Sequence, residues 1–174
     1  MNNFKTLFIL VFLINCSKNF ETNLPVKFSF NSQFRTIDTY GGSNEDIAHS
    51  IIKTYDGGFA VIGNTKSNDN DLNFRTKNDS DILFLKFQSD LKLDYIKTYG
   101  GSDDDRGYDL VQLADQGFIL LGYSKSSDGD ASLNKGQHDN WIIRIDKKGE
   151  IIWEKSFGFS GHDHAYNIIP TLDG

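Results

Sequence analysis

The sequence predicts an all-β protein, and three observations carry that prediction. The 174 residues include 16 glycines but only two prolines, and 13% are aromatic, which is typical of strands joined by glycine turns. Short apolar runs alternate with turn signals such as Asp-Gly along most of the chain. After the N-terminal apolar run, no segment has the 3.6-residue apolar period of a helix.

The overall charge of the chain is negative and its mean hydropathy is low. There are 24 Asp and Glu residues against 18 Lys and Arg, which gives a net charge of −6. The mean hydropathy of −0.43 excludes a multispanning membrane protein. An acidic surface repels phosphate backbones, so no nucleic-acid partner is predicted. The single cysteine excludes an intrachain disulfide.

The N-terminus has the features of an export signal. Lys5 precedes an apolar run, Leu7–Ile14, that is far shorter than the ~20 residues of a membrane-spanning helix. The run ends at Cys16, and this arrangement resembles the lipobox of bacterial lipoproteins, from which Asn15 departs. We therefore predict a signal peptide at 1–15, lipidation at Cys16 and a tether at 16–32. The alternative is a buried strand or helix with an incidental cysteine.

An internal repeat organises the rest of the chain. Thr39-Tyr40-Gly41-Gly42-Ser43 recurs 59 residues later and again, weakened, after a further 58. An aspartate follows each serine by three residues, at positions Asp46, Asp105 and Asp163. The copies span 39–97, 98–155 and 156–174, and are called copies 1, 2 and 3 below.

Each complete copy contains four strand signals. In copy 1 they are His49–Lys53, Phe59–Gly63, Ile82–Phe87 and Leu93–Lys97, and in copy 2 they are Tyr108–Gln112, Phe118–Gly122, Asn140–Ile145 and Ile151–Lys155. Four antiparallel strands that recur at a fixed interval, with apolar residues on both faces, predict the four-stranded blades of a β-propeller. We therefore predict a partial propeller at 33–174.

The repeated residues also resemble a known family. Thr98–Lys155 is similar to the tandem repeats of bacterial secreted and lipoprotein β-propellers, with Trp141, Asp146, Gly149 and Trp153 in the expected places. Copy 1 departs from this pattern, since the turn before its fourth strand lacks the glycine. The resemblance implies the fold and export to the bacterial cell envelope, and it implies no particular activity or catalytic residue.

The number of predicted strands is too small for a closed propeller. A lone strand at Phe34–Thr39, eight strands in copies 1 and 2, and one in copy 3 at Tyr166–Ile169 add up to ten. A closed propeller needs roughly four to eight blades of four strands. We expect either a truncated piece of a longer propeller or self-association through open sheet edges.

Paired aspartates occur at equivalent positions in the long loops between the second and third strands. They are Asp69 and Asp71 in copy 1, and Asp128 and Asp130 in copy 2. Carboxylates at this spacing in a flexible loop are ligands that calcium prefers. The same residue types also form Asx turns, and the sequence leaves both interpretations open. No other cofactor is predicted.

Three histidines are candidate zinc ligands. His162 and His164 are separated by one residue, as two ligands on a strand can be, and His138 is a candidate for the third. The equivalent residues in the other copies are Glu45 and Ile47, and Asp104 and Arg106. This absence of repetition favours histidines in turns or on the surface.

These features favour a binding module over an enzyme. The repeated residues are of the kinds that build turns and cores, and the sequence contains no Gly-x-Ser-x-Gly motif and no cysteine nucleophile. We therefore expect a lipid-anchored extracytoplasmic module that binds a protein or a glycan, with the membrane contacted through its lipid. The alternative is a propeller hydrolase or lyase that uses carboxylates together with calcium.

Overall fold

The predicted all-β class is confirmed in the computed structural model, which describes residues 38–171. Eight strands are present: β1 Asp46–Lys53, β2 Phe59–Thr65, β3 Asp81–Phe87, β4 Leu93–Tyr99, β5 Asp105–Gln112, β6 Phe118–Ser124, β7 Asp139–Ile145 and β8 Ile151–Phe157. The one helical element among the described residues is a 3₁₀ turn at Asn70–Leu72. Both sheets belong to a compact unit that begins at Gly41.

The N-terminal predictions lie outside the described residues. These are the signal peptide, the lipidated Cys16, the tether and most of the strand at Phe34–Thr39. Residues 38–40 are described and carry no strand. Nowhere in residues 38–171 is there a helix with the length and apolar character needed to cross a bilayer.

Copies 1 and 2 fold into two sheets of the same design. Strands β1–β4 form one antiparallel sheet in sequence order, and β5–β8 form the other. Even the irregularities recur, since the β1–β2 ladder skips His49 and the β5–β6 ladder skips the equivalent Tyr108. A bulge at the same repeat position indicates that the repeat specifies the backbone in detail.

The turns between the third and fourth strands show how the two copies differ. Gly149 has a φ of +82°, and Leu91, at the equivalent turn position in copy 1, has a φ of +69°. Glycine adopts this left-handed conformation readily, whereas a side chain with a Cβ atom is strained there. Leu91 gains little in return, because 63% of it is exposed.

We therefore expect Leu91→Gly to raise the free energy of unfolding by about 1 kcal/mol. Urea unfolding monitored by circular dichroism measures this change. The reciprocal variant Gly149→Leu should destabilise the protein by at least as much. A destabilised Leu91→Gly protein would contradict the assignment of strain to this turn.

The two sheets stack face to face and share one apolar core. The rings of Phe84 and Phe118 meet edge to face, with centroids 5.1 Å apart. At Gly107 of β5 the approach is so close that a Cβ atom would lie 2.6 Å from Cγ1 of Ile62 and 2.9 Å from Cγ2 of Ile82. The hydroxyl of Tyr99 donates to the Gly149 carbonyl across the same interface, at 2.8 Å.

The faces that meet are unlike, so the stacking is head to tail. The forward face of the first sheet is the one that contacts the second sheet, and it carries Ile62, Phe84, Tyr95 and Tyr99. The rear face of the second sheet packs against this forward face, and it carries Leu110, Phe118, Leu120 and Ile143. The residues of copy 2 that are equivalent to the forward face therefore lie on the opposite side of the second sheet, away from this core.

That second forward face is partly uncovered. Trp153 and Phe157 of β8 are equivalent to Tyr95 and Tyr99 of β4. Tyr99 is 3% exposed, whereas Phe157 is 52% exposed and Trp153 is 42% exposed. Equivalent side chains thus differ in burial because, within residues 38–171, only the first of the two faces has a sheet stacked on it.

Each sheet also holds a buried cation against an aspartate of its first turn. Nζ of Lys86 lies 2.8 Å from Oδ2 of Asp56. In the second sheet, Arg144 contacts Asp115 in the same way. The hydrogen bond from Lys86, reinforced by Thr54, lowers the pKa of Asp56 to about 2.

The lowered pKa of Asp56 predicts that the free energy of unfolding depends on pH. The Asp56 carboxyl binds a proton less readily in the folded protein than in the unfolded chain, where its pKa has the ordinary value of 3.8. Its contribution to stability is therefore present above pH 3.8 and is lost as the pH falls towards 2. Between pH 4 and pH 2, the wild type should therefore lose stability more steeply than Asp56→Asn. Urea unfolding across this range measures both slopes, and parallel curves would contradict the expectation.

The observed strands extend beyond their sequence signals, and one predicted strand is absent. Strand β1 starts at Asp46 and not at His49, because the three residues 46–48 pair with the end of β2. Tyr166–Ile169 was predicted as a strand but is irregular. The backbone N–H of Ile168 donates to the side chain of Asp109, at 3.0 Å, and not to a ladder partner.

Candidate functional site

The repeated Gly-Gly-Ser loops are organised around a buried aspartate. In copy 2, Oδ2 of Asp105 accepts hydrogen bonds from Gly101 N and Ser126 Oγ, both at 2.8 Å, and Oδ1 accepts one from Lys125 N at 3.1 Å. Burial raises the pKa of Asp105, although these hydrogen bonds oppose the shift. The carboxylate therefore ties the loop before β5 to the loop after β6.

Copy 1 repeats this arrangement, and copy 3 repeats its bond to the preceding loop. Asp46 accepts from Gly42 N at 2.8 Å and from Ser67 Oγ at 2.9 Å. In copy 3, Asp163 accepts from Phe159 N at 2.9 Å. Because it accepts a backbone hydrogen bond at the same repeat position in each copy, this aspartate has a structural role.

The four aspartates predicted as calcium ligands brace the same loops. Each accepts a hydrogen bond from a backbone N–H of its own copy: Asp69 from Ser43 at 2.7 Å, Asp71 from Gly41 at 3.0 Å, Asp128 from Ser102 at 2.7 Å and Asp130 from Gly100 at 3.2 Å. Burial raises the pKa of Asp130, which opposes its ionisation. One oxygen of each carboxylate is thus already engaged, and calcium binding stays a prediction.

The calcium prediction has a quantitative consequence. A loop site with a dissociation constant near 1 mM would stabilise the fold by about 1.4 kcal/mol in about 10 mM calcium. Thermal unfolding in calcium and in a chelator measures this difference. The Asp69→Asn and Asp128→Asn double variant should abolish it, and equal melting temperatures for the wild type would exclude such a site.

The long loops between the second and third strands also present apolar tips. Leu72 and the equivalent Ala131 are fully buried and anchor the two loops in the protein. Two residues further on, Phe74 is 51% exposed and Leu133 is 65% exposed. Both copies therefore display an apolar side chain at the same loop position.

The one group of convergent metal-ligand side chains in residues 38–171 consists of histidines. Ring nitrogens of His138, His162 and His164 all lie within 4.8 Å of one another. Nδ1 of His138 is 2.9 Å from Nε2 of His164. His138 directly precedes β7, and the other two follow β8, so a short segment of copy 3 brings the three together.

Backbone hydrogen bonds between the copies position these histidines. Asp163 N donates to the carbonyl of His138 at 2.7 Å, just as Asp105 N donates to the carbonyl of Ser80 at 2.6 Å. Copy 3 thus joins the second sheet as copy 2 joins the first. The carbonyl bond to Asp163 places the residues on either side of it, His162 and His164, next to His138.

An aromatic ring supports the cluster. Tyr123 stacks on His138, with centroids 4.4 Å apart and an interplanar angle of 7°, and on His164, at 4.7 Å and 9°. Nδ1 of His164 lies 3.2 Å from the hydroxyl of Tyr166. Partial burial, followed by the neighbouring histidines, lowers the pKa of His138 and favours its neutral form.

Sequence reasoning named these histidines but favoured a surface or turn role for them. The missed signal is the position of His138 in the repeat. It is equivalent to Ser80, whose carbonyl accepts a hydrogen bond from the backbone N–H of Asp105 in the next copy. A histidine at that position therefore lies next to Asp163, the equivalent residue of copy 3.

No model of a known protein family matches the chain, and a search of curated proteins finds no significant match.

Proposed function

We propose that the chain is a lipid-anchored, extracytoplasmic module of the β-propeller type that binds a protein partner. Cys16 at the end of the apolar N-terminal run supports export and anchoring. The stacking of two equivalent four-stranded sheets supports the propeller, because blades of a propeller pack on one another in this way.

Head-to-tail stacking also supports association with further sheets. A forward face meets a rear face, so the same contact can be repeated at the exposed forward face of the second sheet. Trp153 and Phe157 are the side chains that a further sheet would cover there. That sheet would come from another repeat or from a second copy of the chain.

The observation that carries the binding function is the pair of apolar loop tips. Loops held on a rigid sheet are where binding residues concentrate. The feature that favours a contact surface here is the recurrence of an exposed apolar side chain at the same loop position in both copies. Phe74 and Leu133 occupy equivalent positions on loops braced by the same aspartate network. The module would present them as two parallel contacts to one partner.

The chemistry of the tips favours a protein over a glycan, and binding over catalysis. Stacking on a sugar requires an aromatic face at each contact, and Leu133 offers none, whereas a protein surface accepts both side chains. The hydrolase or lyase alternative depends on the loop carboxylates. Asp69, Asp71, Asp128 and Asp130 are engaged in bracing their loops, which favours a structural role for them.

Site-specific photo-crosslinking in the cell envelope tests this proposal. A photoreactive phenylalanine analogue at position 74 or 133 of the full chain should give the same discrete adduct with one protein. The purified partner should then bind the Phe74→Ser, Leu133→Ser double variant at least about tenfold more weakly than the wild type, as expected for two apolar contacts.

A second double variant provides the matched control. Tyr55 and Leu91 are 70% and 63% exposed, and they lie in the turns at the opposite end of the first sheet. Tyr55→Ser with Leu91→Ser should leave binding unchanged. Equal loss in both double variants, no adduct from either tip, or binding to a glycan array in place of a protein would overturn the proposal.

A further inference from the structure

The three-histidine cluster has the composition and geometry of a transition-metal site. We propose that His138, His162 and His164 bind one divalent transition-metal ion, with zinc as the best-fitting ion. This inference goes beyond the binding module proposed above and does not depend on the loop tips or on the membrane anchor.

The distances allow three metal–nitrogen bonds after small ring rotations. Zinc binds histidine nitrogen at ~2.0–2.1 Å, so the ligand nitrogens of a tetrahedral site lie about 3.3 Å apart. Nδ1 of His138 and Nε2 of His164 are 2.9 Å apart, and no pair in the cluster exceeds 4.8 Å. His162 is exposed, and rotation of its ring can bring a nitrogen closer to the other two.

The ligand set selects the kind of metal. Imidazole nitrogen suits zinc, copper, nickel and iron, whereas calcium and magnesium require oxygen ligands. Three protein ligands leave one tetrahedral position for water or for a carboxylate of a bound molecule. Asp163 lies between two of the histidines in sequence. Its carboxylate accepts a hydrogen bond from Phe159 N and so stabilises the turn in which it lies.

Side chains around the cluster orient two of the ligands. The Tyr166 hydroxyl contacts Nδ1 of His164, which leaves Nε2 facing His138. Such a second hydrogen bond fixes the ring orientation of metal-binding histidines in general. Tyr123 lies flat against His138 and His164 and holds both rings nearly parallel.

The cluster is specific to one junction between copies. At the other junction the equivalent residues are Ser80, Asp104 and Arg106, and Asn64 replaces the supporting Tyr123. Arg106 and Asp104 form an ion pair of 3.8 Å there. Residues that build the fold recur in the copies, whereas these histidines do not, so the fold itself does not require them.

Metal titration of the full chain tests the site. The protein carries Cys16→Ser, which removes the only thiol, and is stripped of metal before zinc is added. Isothermal titration should show one zinc ion per chain, and thermal unfolding should shift upwards with zinc. Cobalt in place of zinc should give the visible absorption bands of a low-coordinate ion.

Single variants locate the ligands. His138→Gln and His164→Gln should each weaken zinc binding by more than 100-fold, and Tyr166→Phe should weaken it by about 10-fold, because an outer hydrogen bond is worth less than a ligand. His49→Gln is the matched control, since His49 is the one histidine outside the cluster. It should bind zinc like the parent protein.

Two results would overturn the proposal. One is that the parent protein takes up no zinc at millimolar concentration. The other is that zinc binds equally well to the parent protein, to His138→Gln and to His164→Gln, which would place the ion elsewhere. Circular dichroism of each variant confirms that a loss of binding does not reflect a loss of fold.

Discussion

Replacing Phe84 with alanine is expected to lower the free energy of unfolding by about 3–5 kcal/mol, one of the largest effects of any substitution in this chain. Phe84 is fully buried, and its ring contacts Phe118 of the other sheet. The variant would leave a cavity between the two sheets that neither can fill. Urea unfolding of the wild type and the variant measures the loss.

Two further variants show whether the loss arises from stacking of the sheets. Phe74→Ala removes the same ring from a site that is 51% exposed, and it should change stability by less than about 0.5 kcal/mol. A double-mutant cycle of Phe84 and Phe118 should give a coupling energy of about 0.5–1.5 kcal/mol. A coupling energy near zero would mean that the two sheets do not share a core.

Replacing Asp105 with alanine is expected to destabilise the protein by about 3–5 kcal/mol. The side chain is fully buried and accepts hydrogen bonds from two loops. Its removal leaves the N–H of Gly101 without its acceptor and leaves the hydroxyl of Ser126 only the longer bond to the Asp103 carbonyl. Each hydrogen bond to a charged group contributes about 1.5–3 kcal/mol. Thermal or urea unfolding reports the change.

The neighbouring Asp103 is the matched control. Its side chain is 52% exposed and pairs with Lys125 at 3.0 Å on the surface. Asp103→Ala keeps the backbone N–H that donates to Ser126 Oγ, so it should cost less than about 1 kcal/mol. Similar losses from both variants would indicate that negative charge in this run, and not the buried network, stabilises the loop.

Sequence reasoning was sufficient for the eight strands of copies 1 and 2 and insufficient for their ends. The apolar runs at Phe59 and Phe118 identify β2 and β6 because a strand buried on both faces needs such a run. The polar ends of these strands, such as Thr65 and Ser124, carry no apolar signal. They are strands because the aspartate network holds them in the ladder.

At Tyr166–Ile169 the sequence pattern predicts a strand that does not form. Its pattern matches β1 and β5, but no described residue forms a ladder with it. Asn167 and Ile168 donate instead to the side chain of Asp109, at 2.8 and 3.0 Å. A sequence pattern predicts which residues suit a strand, whereas the strand itself requires a partner.

Predicting the histidine cluster requires knowing which distant residues are brought together, and local sequence motifs do not contain that information. His138 and His162 are separated by 24 positions, and the backbone bond between His138 and Asp163 brings them together. The repeat does contain that information, because the equivalent bond joins Ser80 and Asp105. Aligning the junctions between copies would have identified the cluster from sequence.

The unlike forward and rear faces restrict the symmetry of any assembly built through them. A two-fold axis cannot pass through a single contact of this kind, because each chain contributes a different surface to it. Assembly must then close into a cyclic oligomer or continue as an open filament. If closure follows propeller geometry of roughly four to eight blades, chains with two sheets each would close as dimers, trimers or tetramers.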